Sequence, residues 1–299
     1  MPMRAHQASR NALKLGRAVL LVGDDPQRAP LLPLGAAEAT EALLRAAGLL
    51  QDWHLRAYRS PRFRALWAWS EHKLMPGATT LVALRKRVID DETRAALEAG
   101  ASQVLVVGAG FDTLALRLSR AHPSVRFLEL DHPAPLSLKR HALDQPGYPR
   151  NLVLHPADLG AGSLSEALAE ARWDRTARAV VIVESLLMEL DRGELPDFLR
   201  GLAAAVGPGS RLLSVHRVPN PPGRPPLARL SRASLHALSE PGRPWAEAPE
   251  AVVDLLAEAG LVAATEPGRV DLRLRYLVPA GLDHLPLATH EHVVIAERP

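Results

Sequence analysis

One segment restricts the possible folds of this chain more than any other: Gln103-Val104-Leu105-Val106-Val107-Gly108-Ala109-Gly110-Phe111-Asp112-Thr113. A short run rich in β-branched residues enters a glycine-rich turn, and a helical pattern follows. Open α/β sheets present nucleotide-like ligands in this way, because small residues let the backbone come close and the next helix offers its N-terminus. The next strand-like run ends in Phe127-Leu128-Glu129-Leu130-Asp131-His132-Pro133, where an acid can accept hydrogen bonds from ribose hydroxyls.

Strand and helix signals alternate from residue 101 onward, which predicts a mainly parallel sheet with helices on both faces. Strands are expected at 103–107, 125–130, 152–155, 179–184, 211–216, 270–277 and 292–296. Leu195, Phe198, Leu199 and Leu202 form one apolar helix face; Val252, Leu255, Leu256 and Ala259 form another before Gly260. Residues 217–246 are rich in Pro and Arg and read as a long connection at the ligand-binding edge, either a substrate lid or a surface insertion.

Upstream, residues 1–35 read as irregular, with Pro26, Pro30 and Pro33 against regular structure. Residues 36–100 read as helical: Leu43, Leu44, Ala47 and Leu50 share a face, and a second segment carries Trp53, Tyr58, Phe63, Leu66, Trp67 and Trp69. A third helix is expected from Asp90 to Leu97, before Gly100. The expected division is a helical extension over 1–100 and a sheet domain over 101–299.

Composition narrows the function classes. The absence of cysteine excludes disulfides, thiolate zinc sites and a cysteine nucleophile. Ala18-Val19-Leu20-Leu21-Val22 is too short to span a bilayer, and no signal-peptide layout is visible, so a soluble cytoplasmic protein without a membrane partner is expected. The net charge is +3, and the arginines are scattered rather than gathered into a basic stripe, so no nucleic-acid partner is expected.

Three segments in this order resemble the leucine carboxyl methyltransferase-like family of S-adenosylmethionine enzymes. They are Arg85-Lys86-Arg87-Val88-Ile89-Asp90-Asp91, Gly108-Ala109-Gly110-Phe111-Asp112-Thr113 and Glu129-Leu130-Asp131-His132-Pro133. Asp158-Leu159 and Glu184-Ser185-Leu186-Leu187-Met188 stand where that pattern continues. The resemblance covers residues 80–215 well, the C-terminal part loosely and the first 80 poorly. It implies a Rossmann-like seven-stranded sheet, mostly parallel with the last strand antiparallel, and S-adenosyl-L-methionine as cofactor.

The resemblance also implies roles. Gly108, Ala109 and Gly110, with Asp112 and Thr113, pass close to the methionine part of the cofactor, and Glu184 lies near its ammonium. Arg85 or Arg87 binds its carboxylate, for which a guanidinium is well shaped. Asp131, with Glu129 as competitor on the same side of the strand, takes the ribose hydroxyls. Asp158 and Leu159 contact adenine.

His216 and Arg217 are expected at the lip of an acceptor pocket: His216 as base for a hydroxyl acceptor, Arg217 as anchor for a carboxylate. The acceptor is read as a small molecule or peptide, methylated on oxygen by direct in-line transfer. His290-Glu291-His292 alternates like a strand-borne metal pair, but no third ligand is evident and no metal is expected. Two positions depart from the family pattern: Lys86, where many relatives carry threonine, and Glu189, where a tyrosine is usual. Two other readings stay open. A nicotinamide-dependent oxidoreductase fits Gly108-x-Gly110 with Asp131, although Thr113 replaces the third glycine. A non-catalytic cofactor-binding protein fits the change at Glu189.

Overall fold

A computed structural model describes residues 10–144, 148–159, 164–184, 186–188, 190, 192–218, 249–264 and 270–299. The expected connection at 217–246 therefore lies, beyond Val218, outside the described residues, as does Glu189.

Seven strands form one sheet: β1 Gln103–Val107, β2 Arg126–Asp131, β3 Leu152–Pro156, β4 Ala179–Val183, β5 Arg211–Arg217, β6 Val262–Ala263 and β7 Glu291–Glu297. Their order is β3-β2-β1-β4-β5-β7-β6. The first five run parallel, while β7 is antiparallel to both β5 and β6. The sheet is covered on both sides, which explains why β1 and β4 are apolar at nearly every position. Val104 and Val106 belong to one core, and Leu105 and Val107 to the other.

Ten α-helices are described: α1 Arg10–Gly23, α2 Ala36–Ala46, α3 Asp52–Arg59, α4 Pro61–Leu74, α5 Ala78–Glu98, α6 Leu114–Ala121, α7 Pro133–Leu143, α8 Leu164–Glu170, α9 Leu195–Ala204 and α10 Pro249–Glu258. Helices α1, α5 and α6 help bury the face of Val104 and Val106; α8, α9 and α10 bury the other. A third core joins Leu20, Leu43, Leu44 and Leu55 of α1–α3 to Phe111 of the glycine turn. The N-terminal helices are thus packed onto the turn that follows β1.

Several expectations need correction. The region before residue 35 is not irregular: Arg10–Gly23 is a helix, and its Val19–Val22 are buried. Pro26, Pro30 and Pro33 all lie beyond its end, where they shape only the connection to α2. The helix read at Asp90–Leu97 is the last third of α5, so the arginine motif sits in mid-helix. The run at 270–277 is not a strand. Arg273–Leu277 forms a π-helical turn, and the sixth strand is the two-residue β6. Trp53, Leu66, Trp67 and Trp69 lie in two helices broken before Pro61, and all four are exposed.

Candidate functional site

The strand order reverses beside β1: the chain moves outward through β2 and β3, then returns to the other side of β1 as β4. At such a reversal the connections leave the carboxyl ends of neighbouring strands in opposite directions, and a crevice opens between them. The turn after β1 and the residues after β4 meet here. Gly108 has φ 73° and Gly110 φ 48°, left-handed values that favour glycine. A Cβ on Gly110 would lie 2.8 Å from Ala12 Cβ of α1; one on Gly108 would lie 3.2 Å from Leu186 Cβ beyond β4. The turn is held from both sides.

The Gly108 amide donates to the Leu130 carbonyl at 2.8 Å, tying the turn to β2. Asp131 takes the next step. Its carboxylate accepts hydrogen bonds from the Gly110 amide and, at 2.7 Å, from the His132 amide. Burial pushes the Asp131 carboxyl up, against the pull of these amides. Each carboxylate oxygen keeps acceptor capacity beyond its one amide. Glu129 shares that side of β2 but is fully buried, with Oε2 2.6 Å from Lys139 Nζ. Lys139 also donates to the Asp112 carbonyl at 2.6 Å. The structure therefore separates the two competitors by depth: Asp131 at the rim, Glu129 sealed under the turn.

Across the crevice, mid-helix α5 delivers two cations. Arg85 is fully buried, its Nε 2.9 Å from Glu184 and one terminal nitrogen bonded to Glu291 of β7. Its other terminal nitrogen, Nη2, is buried with no hydrogen-bond partner among the described residues. Lys86 Nζ lies 2.6 Å from Glu184 Oε2 and bonds Asp112 as well. The Asp112 carboxyl, although buried, is drawn down to about 2, chiefly by Lys86 and also by the Leu114 amide at 2.6 Å. That amide contact lets Asp112 open α6, while the neighbouring Thr113 is buried at the helix start.

Two cations and three carboxylates thus converge over the sheet edge formed by the ends of β1, β4, β5 and β7. Arg87 does not join them. It pairs with Asp91 one turn along α5 at 3.0 Å, on a more exposed face. Asp90 faces α6 and takes Arg117 at 2.8 Å, so the arginine motif serves both crevice and scaffold.

Asp158 and Leu159 follow β3 at the far end of the crevice. The Asp158 side chain is half exposed and 3.9 Å from His132 Nε2, while Leu159 packs on the sheet core. His216 is not at a lip. It is fully buried, with Nε2 2.8 Å from Ser214 Oγ and its ring stacked on His292 across the β5–β7 pair. Burial, then the neighbouring His292, draws its pKa down to about 3, so the ring is neutral near pH 7. Arg217, at the end of β5, is only half-buried and sits opposite Glu291. Among the described residues no group of three His, Asp or Glu side chains is placed to hold a metal, and no helix is long and apolar enough to cross a membrane.

Sequence reasoning missed two members of this cluster. Lys86 stood out only as a departure from a pattern, and Glu291 only as the middle of a His-Glu-His triplet. Neither carries a local signal, because each meets its partners through tertiary approach. The cofactor suits the residues present. Arg85 Nη2 is a buried donor without a partner among the described residues, suited to a carboxylate, and Glu184 and Asp112, which already bind the Lys86 ammonium, suit such a cation. Asp131 lies one strand away and accepts from the Gly110 amide of the glycine turn.

Comparison with known proteins bears on the family and the fold. The model of the leucine carboxyl methyltransferase family matches residues 26–203, more than half of the chain. A relative from Mycolicibacterium gilvum, named as an inferred S-adenosyl-L-methionine-dependent methyltransferase, is 28% identical over 79% of this chain and 72% of its own length. One from Frankia alni with the same description is 35% identical over 43% of this chain and 46% of its own. The chain spans less than half the length of that relative and of a similar one from Mycobacteroides abscessus. A solved structure from Thermobifida fusca, titled as an inferred methyltransferase, has 22% identity and a TM-score of 0.57. It covers 80% of this chain and 89% of that one, and shares the fold. The crevice, the order of its motifs and the family match lead to one conclusion: this chain belongs to the leucine carboxyl methyltransferase family of S-adenosylmethionine-dependent enzymes.

Proposed function

We propose that this protein transfers a methyl group from S-adenosyl-L-methionine to an oxygen of a small-molecule or peptide acceptor. The observation that carries the reading is Arg85: a buried guanidinium with one free donor, held by two carboxylates at the head of the crevice. Arg85 binds the carboxylate of the cofactor's amino-acid end, and Glu184 with Asp112 takes the ammonium. Gly108, Ala109 and Gly110 let the backbone lie against the methionine chain. Asp131 accepts from the ribose hydroxyls, Asp158 from the adenine amine, and Leu159 packs on the ring. Arg87 and Glu129 have no place in this assignment, since each is paired away from the crevice.

The bound cofactor supplies an activated methyl on a sulfonium, so the protein's work is to position, exclude water and orient the acceptor. His216 is buried and neutral, and bonded to Ser214, which fits a role in the β5–β7 seam better than proton removal at a surface. Arg217, half-buried at the strand end, orients an acceptor carboxylate in this reading. Such an acceptor is already ionised and needs no base. The reading favoured here is therefore carboxyl methylation.

The test is twofold. Calorimetric titration with S-adenosylhomocysteine and with NADPH should give binding of the first alone; NADPH binding without the other ligand overturns the reading in favour of an oxidoreductase. Labelled cofactor incubated with metabolite and peptide pools should then yield a product that releases methanol in mild alkali, as a methyl ester does and an ether does not. Binding without any transfer would leave a cofactor-binding protein that does not turn over.

A further inference from the structure

Lys86 has a place in this crevice that the assignment above leaves unused. The side chain is largely buried, and its ammonium bridges Glu184 Oε2 at 2.6 Å and Asp112 Oδ2. These are the two carboxylates assigned to the cofactor's ammonium. A lysine ammonium is a compact cation with three rotatable donors on a flexible stem. In charge and donor count it matches the α-ammonium of an amino acid. The oxygens have lone pairs for both donors, but two ammonium ions sharing them would lie a few ångströms apart, and such a like-charge approach is opposed strongly in buried surroundings.

We propose that Lys86 is a built-in counter-ion that occupies the ammonium subsite, and that the amino-acid end of the cofactor binds by exchanging with it. The inference rests on the cofactor reading given above. Two observations support the exchange. First, the neighbouring Arg85 is locked by two carboxylates and leaves its buried Nη2 without a hydrogen-bond partner among the described residues, whereas Glu184 and Asp112 already hold a cation. Second, without Lys86 the five-group cluster would hold three carboxylates against one cation, an arrangement that low-dielectric surroundings penalise. Lys86 thus offsets the charge of Asp112 and Glu184 and holds both carboxylates in place. Its cost is weaker binding of any ligand whose ammonium must displace it.

Lys86 is a positioning residue, and the test separates it from a merely structural one. The wild type, Lys86→Met, Lys86→Gln and Lys86→Arg are titrated with S-adenosylhomocysteine and with 5′-methylthioadenosine, a nucleoside thioether lacking both ammonium and carboxylate. Removal of the cation in Lys86→Met or Lys86→Gln should tighten S-adenosylhomocysteine binding by about tenfold or more, the scale of one charge-assisted hydrogen bond. Binding of 5′-methylthioadenosine should stay as in the wild type, and Lys86→Arg should show no gain. In thermal unfolding, the two uncharged variants should start lower and rise further than the wild type on adding S-adenosylhomocysteine. Weaker or unchanged S-adenosylhomocysteine binding in both uncharged variants, or equal changes for both ligands, overturns the exchange while leaving the cofactor reading intact. A wild type that binds neither nucleoside overturns the cofactor reading, and the exchange with it.

Discussion

Lys139→Met examines how the floor of the crevice is supported. Lys139 and Glu129 are both fully buried, 2.6 Å apart, and Lys139 also holds the Asp112 carbonyl. Methionine keeps most of the stem's bulk but removes the cation, so Glu129 faces an apolar interior without a counter-charge. Breaking a buried pair from one side costs about 3–5 kcal/mol. The loss also carries a pH signature. Burial already pushes the Glu129 carboxyl up, with Lys139 pulling it back. A carboxyl raised above its unfolded value of about 4.3 contributes stability that is present below that value and lost as pH rises through the folded-state pKa. Removing Lys139 raises the folded-state value further. The variant then takes up a proton at low pH and pays at most about 1.4 kcal/mol per pH unit above it. Urea unfolding followed by circular dichroism should therefore show a larger loss at pH 8 than at pH 5. Adding Glu129→Leu to Lys139→Met should recover most of the pH 8 loss, because an apolar pair of similar volume replaces the ions. A double variant no more stable than the single one, or a loss equal at both pH values, would refute this account of the pair.

Three other outcomes are expected. Asp131→Ala should abolish S-adenosylhomocysteine binding in calorimetry and cost about 1–3 kcal/mol, because the Gly110 and His132 amides lose their acceptor; undiminished affinity would remove Asp131 from the ribose site. Gly110→Ala combines a left-handed φ with a contact 2.8 Å from Ala12 Cβ, so a loss of about 1–3 kcal/mol is expected in chemical denaturation. A second change, Ala12→Gly, should relieve part of it, and no relief would show that the α1 contact is not the cause. His216, with its pKa drawn down to about 3, contributes stability above pH 6.5 that is lost as pH falls toward 3. Unfolding midpoints between pH 4 and 7 should fall less steeply in His216→Gln, and an unchanged slope would contradict burial of a neutral ring.

Much of the architecture was legible in residue order because its strands are buried on both faces. Val104–Val107 and Ala179–Val183 are so uniformly apolar that neither another period nor an exposed edge fits them. β6 escaped because two residues, Val262 and Ala263, leave no periodic trace. The stronger alternation at 270–277 belongs instead to a helical turn, although the Val270 amide still bonds the Val293 carbonyl beside the sheet. Helix α1 was hidden by prolines just past its end. In the crevice, Gly108, Gly110 and Asp131 announced themselves because turn chemistry is local. Period-two spacing put Glu129 and Asp131 on one side of β2 but says nothing of depth, which Lys139 from α7 decides. The choice between Arg85 and Arg87 likewise turned on which helix face meets β4.

Glu291 gives the site an unusual dependence on the order of synthesis. It reaches Arg85 across 206 positions of chain, from a strand that wedges between two elements made earlier. On the ribosome, β1 through β5 can pair in turn as they emerge. The guanidinium, however, lacks one of its two anchors until residue 291 has left the exit tunnel. Assembly of this charged cluster is thereby tied to the synthesis of β7, and a nascent chain that has not yet made residue 291 holds the Arg85 guanidinium from one side only.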